Sequence, residues 1–333
     1  MGKLTIALAT CEGATFLDDQ LASYVSQTRL PDELVVSDDA SSDHTWEILS
    51  SFAVVAPFPV RLMRNEQRRG YSANFAQVID MADGDLIALS DQDDVWLATK
   101  LARLEATWQA QGCHLLAHDL VYVDENLESD GETKLGRLRT TGHSSAGLTS
   151  GCATAVTRQL IDLARPLPEW MPYDRWLHSV ADYSGVRIVL EEPLSLWRRH
   201  GAAASRESLH NTLVPLPRWQ VLVRSARQSW AKPSRVTVAE RMRWMQTFIQ
   251  RADVFLADHE GSRDELSEAV REARKRAERD SIELQKRSRA VETRGLIRRA
   301  GAITRYFARG GYASQSKHVA GRVGRAAKDL MQP

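Results

Sequence analysis

Leu86-Ile87-Ala88-Leu89-Ser90-Asp91-Gln92-Asp93-Asp94-Val95-Trp96 is the stretch that decides how this chain reads. An apolar run of the kind that forms a buried strand ends in three carboxylates, and the chain then turns apolar again. Carboxylates crowded at a strand end repel one another. A hard cation such as Mg²⁺ or Mn²⁺, bound by oxygen ligands and shared with a substrate phosphate, is the usual compensation. Asp91 and Asp93 therefore read as a D-x-D metal motif, which points to chemistry on a nucleotide diphosphate.

Three similar strands precede it. Leu4–Ala9, Glu33–Ser37 and Val60–Met63 are apolar runs. Helical patterns follow all four strands, near Phe16–Gln27, Thr45–Phe52, Ser72–Met81 and Ala98–Gln111. Repeated strand–helix units predict an α/β fold: a mostly parallel sheet with helices on both faces. Ligands of such sheets bind beyond the carboxyl ends of the strands. Thr10-Cys11-Glu12, Asp38-Asp39, Asn65 and Asp91-Gln92-Asp93 stand at those ends.

After Gly112 the pattern loosens. His114–Ala117 and Leu120–Val123 read as two short strands, Glu125–Arg139 as a polar loop, Gly151–Thr157 as a strand and Arg158–Arg165 as a helix. A helix at Arg175–Tyr183, strands at Arg187–Leu190 and Leu194–Trp197, and a turn at His200-Gly201 follow. Residues 205–333 change texture and predict an all-helical C-terminal extension. Its helices span Arg235–Asp258, a long charged segment to about Thr293 opened by a capping box at Ser262-Arg263-Asp264-Glu265, and Leu296–Arg309, ended by Gly310-Gly311. In the long helix Val270, Ala277, Leu284 and Val291 recur every seven residues, although Asp280 and Arg287 share the seam, so a coiled coil is weakly supported.

The net charge of +1 hides an asymmetry. Residues 1–204 carry 17 Lys+Arg against 29 Asp+Glu, a net of −12, and residues 205–333 carry 27 against 14, a net of +13. Such a split implies two parts with different partners. Cys11, Cys113 and Cys152 lie far apart in sequence and suggest free thiols in a reducing compartment. No apolar run of about 18 residues exists to span a membrane, and the start at Met1-Gly2-Lys3 suggests no signal peptide.

Together these blocks resemble the family 2 glycosyltransferases of the GT-A fold. The resembling residues are Thr5–Thr10, Glu33 to Asp43, Asn65 to Asn74 with Gly70 inside, Gly84 to Trp96, and Trp197-Arg198-Arg199-His200-Gly201. They cover roughly residues 3–204, a Rossmann-like catalytic domain, with residues 205–333 as a basic helical extension. The Ser-Asp-Gln-Asp-Asp-Val-Trp form is similar to a bacterial, rhamnosyltransferase-like subgroup that builds cell-surface polysaccharides. The resemblance implies that Asp39, with Asp38 as its alternative, holds the nucleotide base, and that Thr10 to Glu12 touch base and ribose. It implies Asp93 as metal ligand, Asp91 on ribose or a metal-bound water, His200 as a further ligand and Asp174 as general base. Cys11-Glu12 departs from the Tyr-Asn or Phe-Asn usual at that place.

Each residue also has a plainer reading. Asp39 could cap the following helix, Asp174 the helix at Arg175, and His200 could be packed. Asp182 is the next candidate base. Asn65 and Asn74 bracket either a loop near the diphosphate or a helix entry capped by Ser72. Arg198 and Arg199 would suit a diphosphate. Trp96 and Trp176 could stack on sugar rings, although core packing accounts for them better.

The expected activity is inverting, metal-dependent transfer of a sugar from a UDP- or dTDP-linked donor to a hydroxyl of a bacterial surface glycan or lipid-linked acceptor. The expected cofactor is Mn²⁺ or Mg²⁺, and the expected place is the cytoplasm. The basic region with its Leu296, Ala300, Ile303, Phe307 face would attach to the inner membrane surface, pack on the catalytic domain, or join homo-oligomers. Nucleic acid is not an expected partner, since no module for it is recognisable. A sugar nucleotidyltransferase would need an early Gly-rich basic loop, and Thr10–Phe16 has one glycine and no basic residue. A glycan- or membrane-binding scaffold without turnover is the non-enzymatic rival, kept open by Glu12.

Overall fold

The computed structural model describes residues 2–141, 143–200, 220, 233–312 and 319–331. The chain divides into two compact units, Met1–Pro217 and Arg218–Pro333.

In the first unit β1 (Leu4–Thr10) is buried along its whole length, as a central parallel strand covered on both faces must be. It pairs in parallel with β2 (Glu33–Asp38) on one side and β4 (Leu86–Ser90) on the other, and β2 pairs in parallel with β3 (Val60–Arg64). The strand order reverses at β1, which places a crevice between the ends of β1 and β4. Helices α1 (Leu17–Val25), α2 (Thr45–Val55) and α3 (Tyr71–Met81) connect these strands, and α4 (Lys100–Gln111) follows the last of them. The eight strands among the described residues run β3-β2-β1-β4-β7-β6-β8-β5, where β5 is Val95–Trp96, β6 Leu115–Val123, β7 Thr154–Thr157 and β8 Arg187–Arg198. β7 is antiparallel to both neighbours, and β5 is antiparallel to β8.

Four local expectations change in this unit. The two short strands expected before Asp124 form one strand, β6, and those at Arg187–Leu190 and Leu194–Trp197 join as β8. The β6–β8 register shifts at His118, Asp119 and Leu120. Buried Asp119 fills this bulge by accepting from the Leu120 and Leu135 N–H groups, both at 2.8 Å. The polar loop at Glu125–Arg139 contains α5 (Lys134–Thr140), capped by Thr133, whose hydroxyl accepts from Gly136 N–H at 3.1 Å. Gly136 inside the helix hid it from a propensity reading. Only Thr154–Thr157 of the strand expected at Gly151–Thr157 is extended; Gly151–Ala153 forms a 3₁₀ turn. Helices α6 (Arg158–Ala164) and α7 (Tyr173–Ser184) complete the unit.

The second unit is helical: α8 (Ser234–Asp258), α9 (Glu265–Glu292), α10 (Leu296–Ala308) and α11 (Val319–Met331). Val270, Ala277, Leu284 and Val291 are all buried, and α8 packs along α9. The charge at the seam has a specific answer. Arg287 forms a two-point pair with Asp329, Nε to Oδ2 and Nη2 to Oδ1, both at 2.8 Å, and the Tyr312 hydroxyl donates to the same carboxylate at 2.7 Å. The cap of α9 is Asp264 rather than Ser262; its carboxylate accepts from Ser267 N–H at 2.9 Å. Ile303 packs inside against Ala290, Tyr306 and Tyr312, so the apolar stripe of α10 is partly consumed within the unit, while Leu296 and Ile297 stay exposed. Helix α11 was not foreseen, because Gly321 and Gly324 interrupt its apolar period. No helix among the described residues is long and apolar enough to cross a membrane.

Candidate active site

The crevice is built by loops that hydrogen-bond to one another. After β1 the chain turns at Glu12, whose φ of 53° is unusual for a side chain with a Cβ. Three contacts hold that turn. Cys11 N–H donates to Gln92 Oε1 at 2.7 Å, Glu12 N–H to Ser41 Oγ at 2.9 Å, and Gly13 N–H to Thr45 Oγ1 at 2.8 Å. The Glu12 carboxylate accepts from the Ser42 N–H at 3.0 Å and the Ser42 hydroxyl at 2.9 Å, and it pairs with Arg68. The Ser42 N–H, then its hydroxyl, hold the Glu12 carboxyl below the usual carboxylate range.

Two carboxylates follow β2. Asp38 is buried and accepts from Thr10 Oγ1 at 3.0 Å and from the Ser41 N–H at 3.1 Å. Asp39 is buried too, and it organises the loop before α3. It accepts from Asn65 Nδ2 at 3.0 Å, Arg69 N–H at 2.8 Å and Gly70 N–H at 2.8 Å. Gly70, at φ 89°, is the residue before α3, so the expected Ser72 cap is displaced by this carboxylate-bound turn. Asn74 is internal: its amide donates to the Ser37 and Thr10 carbonyls at 3.0 and 3.2 Å.

Across the crevice the D-x-D loop meets the end of β8. His200 Nε2 stands 2.8 Å from Asp93 Oδ2, so the two residues expected to ligate the metal are brought together from 107 positions apart. Arg198 fixes this loop. Its backbone N–H reaches Asp94 Oδ1 at 3.2 Å, and its guanidinium donates to the Asp93 carbonyl (2.9 Å), the Glu125 carbonyl (2.6 Å) and the Asp19 carboxylate (2.7 Å). Three of its five guanidinium N–H groups are thus engaged by the protein. Asp91, Asp94 and Cys152 each place one ligand atom within 4.8 Å of the others. Asp94 Oδ2 is buried without a hydrogen-bond partner among the described residues. Burial, then Asp93, Asp94 and Asp174, push the Asp91 carboxyl well up. Carboxylate oxygens with one imidazole are a donor set that fits a hard divalent cation. Beneath them Lys100 is fully buried. It donates to the Cys152 carbonyl at 2.9 Å and Ser195 Oγ at 3.0 Å and lies 3.7 Å above the Trp96 ring. Burial lowers its pKa.

Asp174 sits in the first turn of α7, within electrostatic reach of Asp91. Its own carboxyl is raised by burial, against the Arg175 N–H that donates to it at 2.7 Å. The residue before it anchors the helix. Tyr173 stacks on Phe75 at 4.1 Å and meets the Tyr71 hydroxyl at 3.3 Å. A Cβ at position 151 would come within 1.9 Å of the Tyr173 hydroxyl, which is why glycine stands there. Asp182 lies about two turns further along α7, paired with Arg187 at 2.8 Å. Trp96 and Trp176 are both buried in the core rather than open to a sugar, and Trp176 Nε1 donates to the Ala164 carbonyl at 2.9 Å.

Sequence reasoning missed Gln92, Lys100, Cys152 and Tyr173. Gln92 was legible in principle, since it lies between two carboxylates at a strand end. Lys100 carried no signal, because a lysine at a helix start reads as solvated.

A mostly parallel sheet with an antiparallel insertion and a D-x-D beyond β4 is the architecture of the GT-A glycosyltransferases. A model described as "Glycosyl transferase family 2" matches residues 5–154, and that part of the chain carries the family's pattern. It is 25% identical over 215 residues to an uncharacterized glycosyltransferase of Nostoc sp., across 60% of this chain and 66% of that protein. It is 31% identical over 98 residues to the dTDP-rhamnosyl transferase RfbG of Shigella flexneri, across 28% of this chain and 34% of that protein. The match thus spans less than two thirds of either relative. Among solved structures, S. aureus TarS 1–349 in complex with UDP-GlcNAc shares the fold, with a TM-score of 0.53 at 16% identity over 84% of this chain and 90% of that one.

Proposed function

We propose that this chain transfers a sugar from a UDP- or dTDP-linked donor to a hydroxyl of a bacterial surface glycan or lipid-linked glycan, with inversion at the anomeric carbon. The observation that carries the reading is the meeting of Asp93 and His200, with Asp93 and Asp174 both within electrostatic reach of Asp91. Thr10, Glu12, Asp39 and Asn65 line the nucleotide end. Asp93 and His200, with Asp91, would hold Mn²⁺ or Mg²⁺, which as a Lewis acid takes up the charge of the departing diphosphate.

Asp174 accepts the proton of the acceptor hydroxyl as that oxygen attacks the anomeric carbon from the face opposite the diphosphate. Burial makes its carboxylate a better proton acceptor than an exposed one. The dTDP-rhamnosyl transferase relative supports a dTDP-sugar among the donors. Residues 205–333 serve as a basic extension. Leu296 and Ile297, exposed beside Arg294 and Arg298, favour an anionic membrane face on the cytoplasmic side, which suits an acceptor on a lipid carrier.

Incubation of the purified chain with UDP- and dTDP-sugars, Mn²⁺ and a lipid-linked acceptor tests this reading. The expected product has the opposite anomeric configuration to the donor by NMR and forms at least ~10²-fold more slowly with Asp174→Asn. A retained configuration, or full activity of that variant, contradicts it.

A further inference from the structure

The backbone ladder between β1 and β4 ends at the pair Leu8 and Ser90. Beyond it the two strands give way to the turn at Cys11-Glu12 and the loop at Asp91–Asp93, and no backbone pairing ties these two segments. A side chain does. The Gln92 carboxamide accepts from Cys11 N–H at 2.7 Å and donates to the Cys11 carbonyl at 2.9 Å. Both backbone groups of one residue are thus satisfied by one amide, which extends the ladder by a rung. Gly13 leaves room for it: a Cβ there would lie 2.4 Å from Gln92 Oε1.

We infer that Gln92 is a positioning residue that locks the nucleotide-binding turn after β1 to the metal-holding loop after β4, so that base recognition and cation binding act on one rigid donor frame. The inference rests on the function proposed above.

The chemistry selects glutamine. A carboxamide offers a donor and an acceptor on two neighbouring atoms at one end, without a charge or a proton to gain. Glutamate would face the Cys11 carbonyl with a second acceptor, and asparagine is one methylene too short. The arrangement also explains the middle residue of Asp91-Gln92-Asp93. The flanking carboxylates serve the cation, and the residue between them faces the neighbouring turn.

Three variants test it: Gln92→Met, which keeps the length without hydrogen bonds, Gly13→Ala, which displaces the far end of the Gln92 side chain, and the two combined. UDP and dTDP are titrated with and without Mn²⁺, Mn²⁺ is titrated alone, and exchange of the Cys11 amide hydrogen is followed. Two hydrogen bonds of ordinary strength predict about a tenfold loss of nucleotide affinity in the presence of Mn²⁺ for Gln92→Met. Mn²⁺ alone should bind within about twofold of wild type, and the donor KM should rise while kcat holds. Gly13→Ala should give a similar loss, and the double variant little more than either single one, since both break the same contact. Unchanged nucleotide affinity in folded Gln92→Met, or losses that multiply in the double variant, overturns the inference. If wild type binds neither nucleotide with Mn²⁺, the proposed function fails instead. The lock itself is then judged by the Cys11 amide: faster exchange in Gln92→Met supports it, and unchanged exchange refutes it.

Discussion

The sheet unit and the helical unit solve the problem of buried charge in opposite ways. At the rim of the sheet, burial and the neighbouring Asp93, Asp94 and Asp174 push the Asp91 carboxyl up, and Asp94 Oδ2 has no hydrogen-bond partner among the described residues. In the helical unit the buried Arg287 and Asp329 satisfy each other with two 2.8 Å hydrogen bonds and a third from Tyr312. A closed pair holds helices in register. An open set of carboxylates is costly unless something positive arrives, and that difference separates a binding site from a structural clasp.

The contrast can be broken at several points. The largest effect is expected at the rim. Asp93→Ala should lower turnover by at least ~10³-fold, because the leaving diphosphate loses its counter-charge, while the melting temperature stays unchanged or rises. Chelation of the wild type should give a similar loss that added Mn²⁺ reverses. Asp174→Asn should lower kcat by about 10²–10⁴-fold with donor affinity retained, read by steady-state kinetics alongside calorimetry.

Breaking the clasp should do the reverse. Arg287→Ala leaves Asp329 buried without its counter-charge, at a cost of about 3–5 kcal/mol, seen as an earlier unfolding transition by circular dichroism. Arg287→Met combined with Asp329→Leu should recover most of that loss. Recovery would show that the pair specifies register more than it supplies stability.

The smallest effect is expected at the start of α9. Asp264→Ala should cost about 1 kcal/mol. Burial acts against the charged form of Asp264, but the Ser262 hydroxyl, the Ser267 N–H and the Ser267 hydroxyl outweigh it and depress the carboxyl pKa. A depressed pKa contributes stability that is present above the unfolded value of about 3.9 and is lost as pH falls below it. Thermal melts should therefore separate wild type from Asp264→Ala at pH 7 and draw them together as pH drops below about 4.

Much of this was legible in the chain. The strand and helix pattern placed β1 to β4 within a residue or so, and polar residues at their ends hydrogen-bond to one another. The joining of His200 to Asp93 was legible only through resemblance, since no local pattern links residues 107 apart. What stayed hidden depends on side chains that replace backbone pairing: Asp119 filling the β6 bulge, Asp39 capping the turn at Gly70, and Gln92 continuing the β1–β4 ladder. Periodicity records which face a residue takes and not which partner it finds there. Helix α5 was lost to Gly136, and the use of Ile303 inside the helical unit could not be told from an outward-facing stripe.

Calorimetric titration of UDP and dTDP in the presence and absence of Mn²⁺, on wild type and on Asp93→Ala, addresses the central claim most directly. The account predicts binding of at least one nucleotide that strengthens with Mn²⁺ in wild type and loses that dependence in Asp93→Ala. Nucleotide binding indifferent to Mn²⁺ and to the substitution would contradict it.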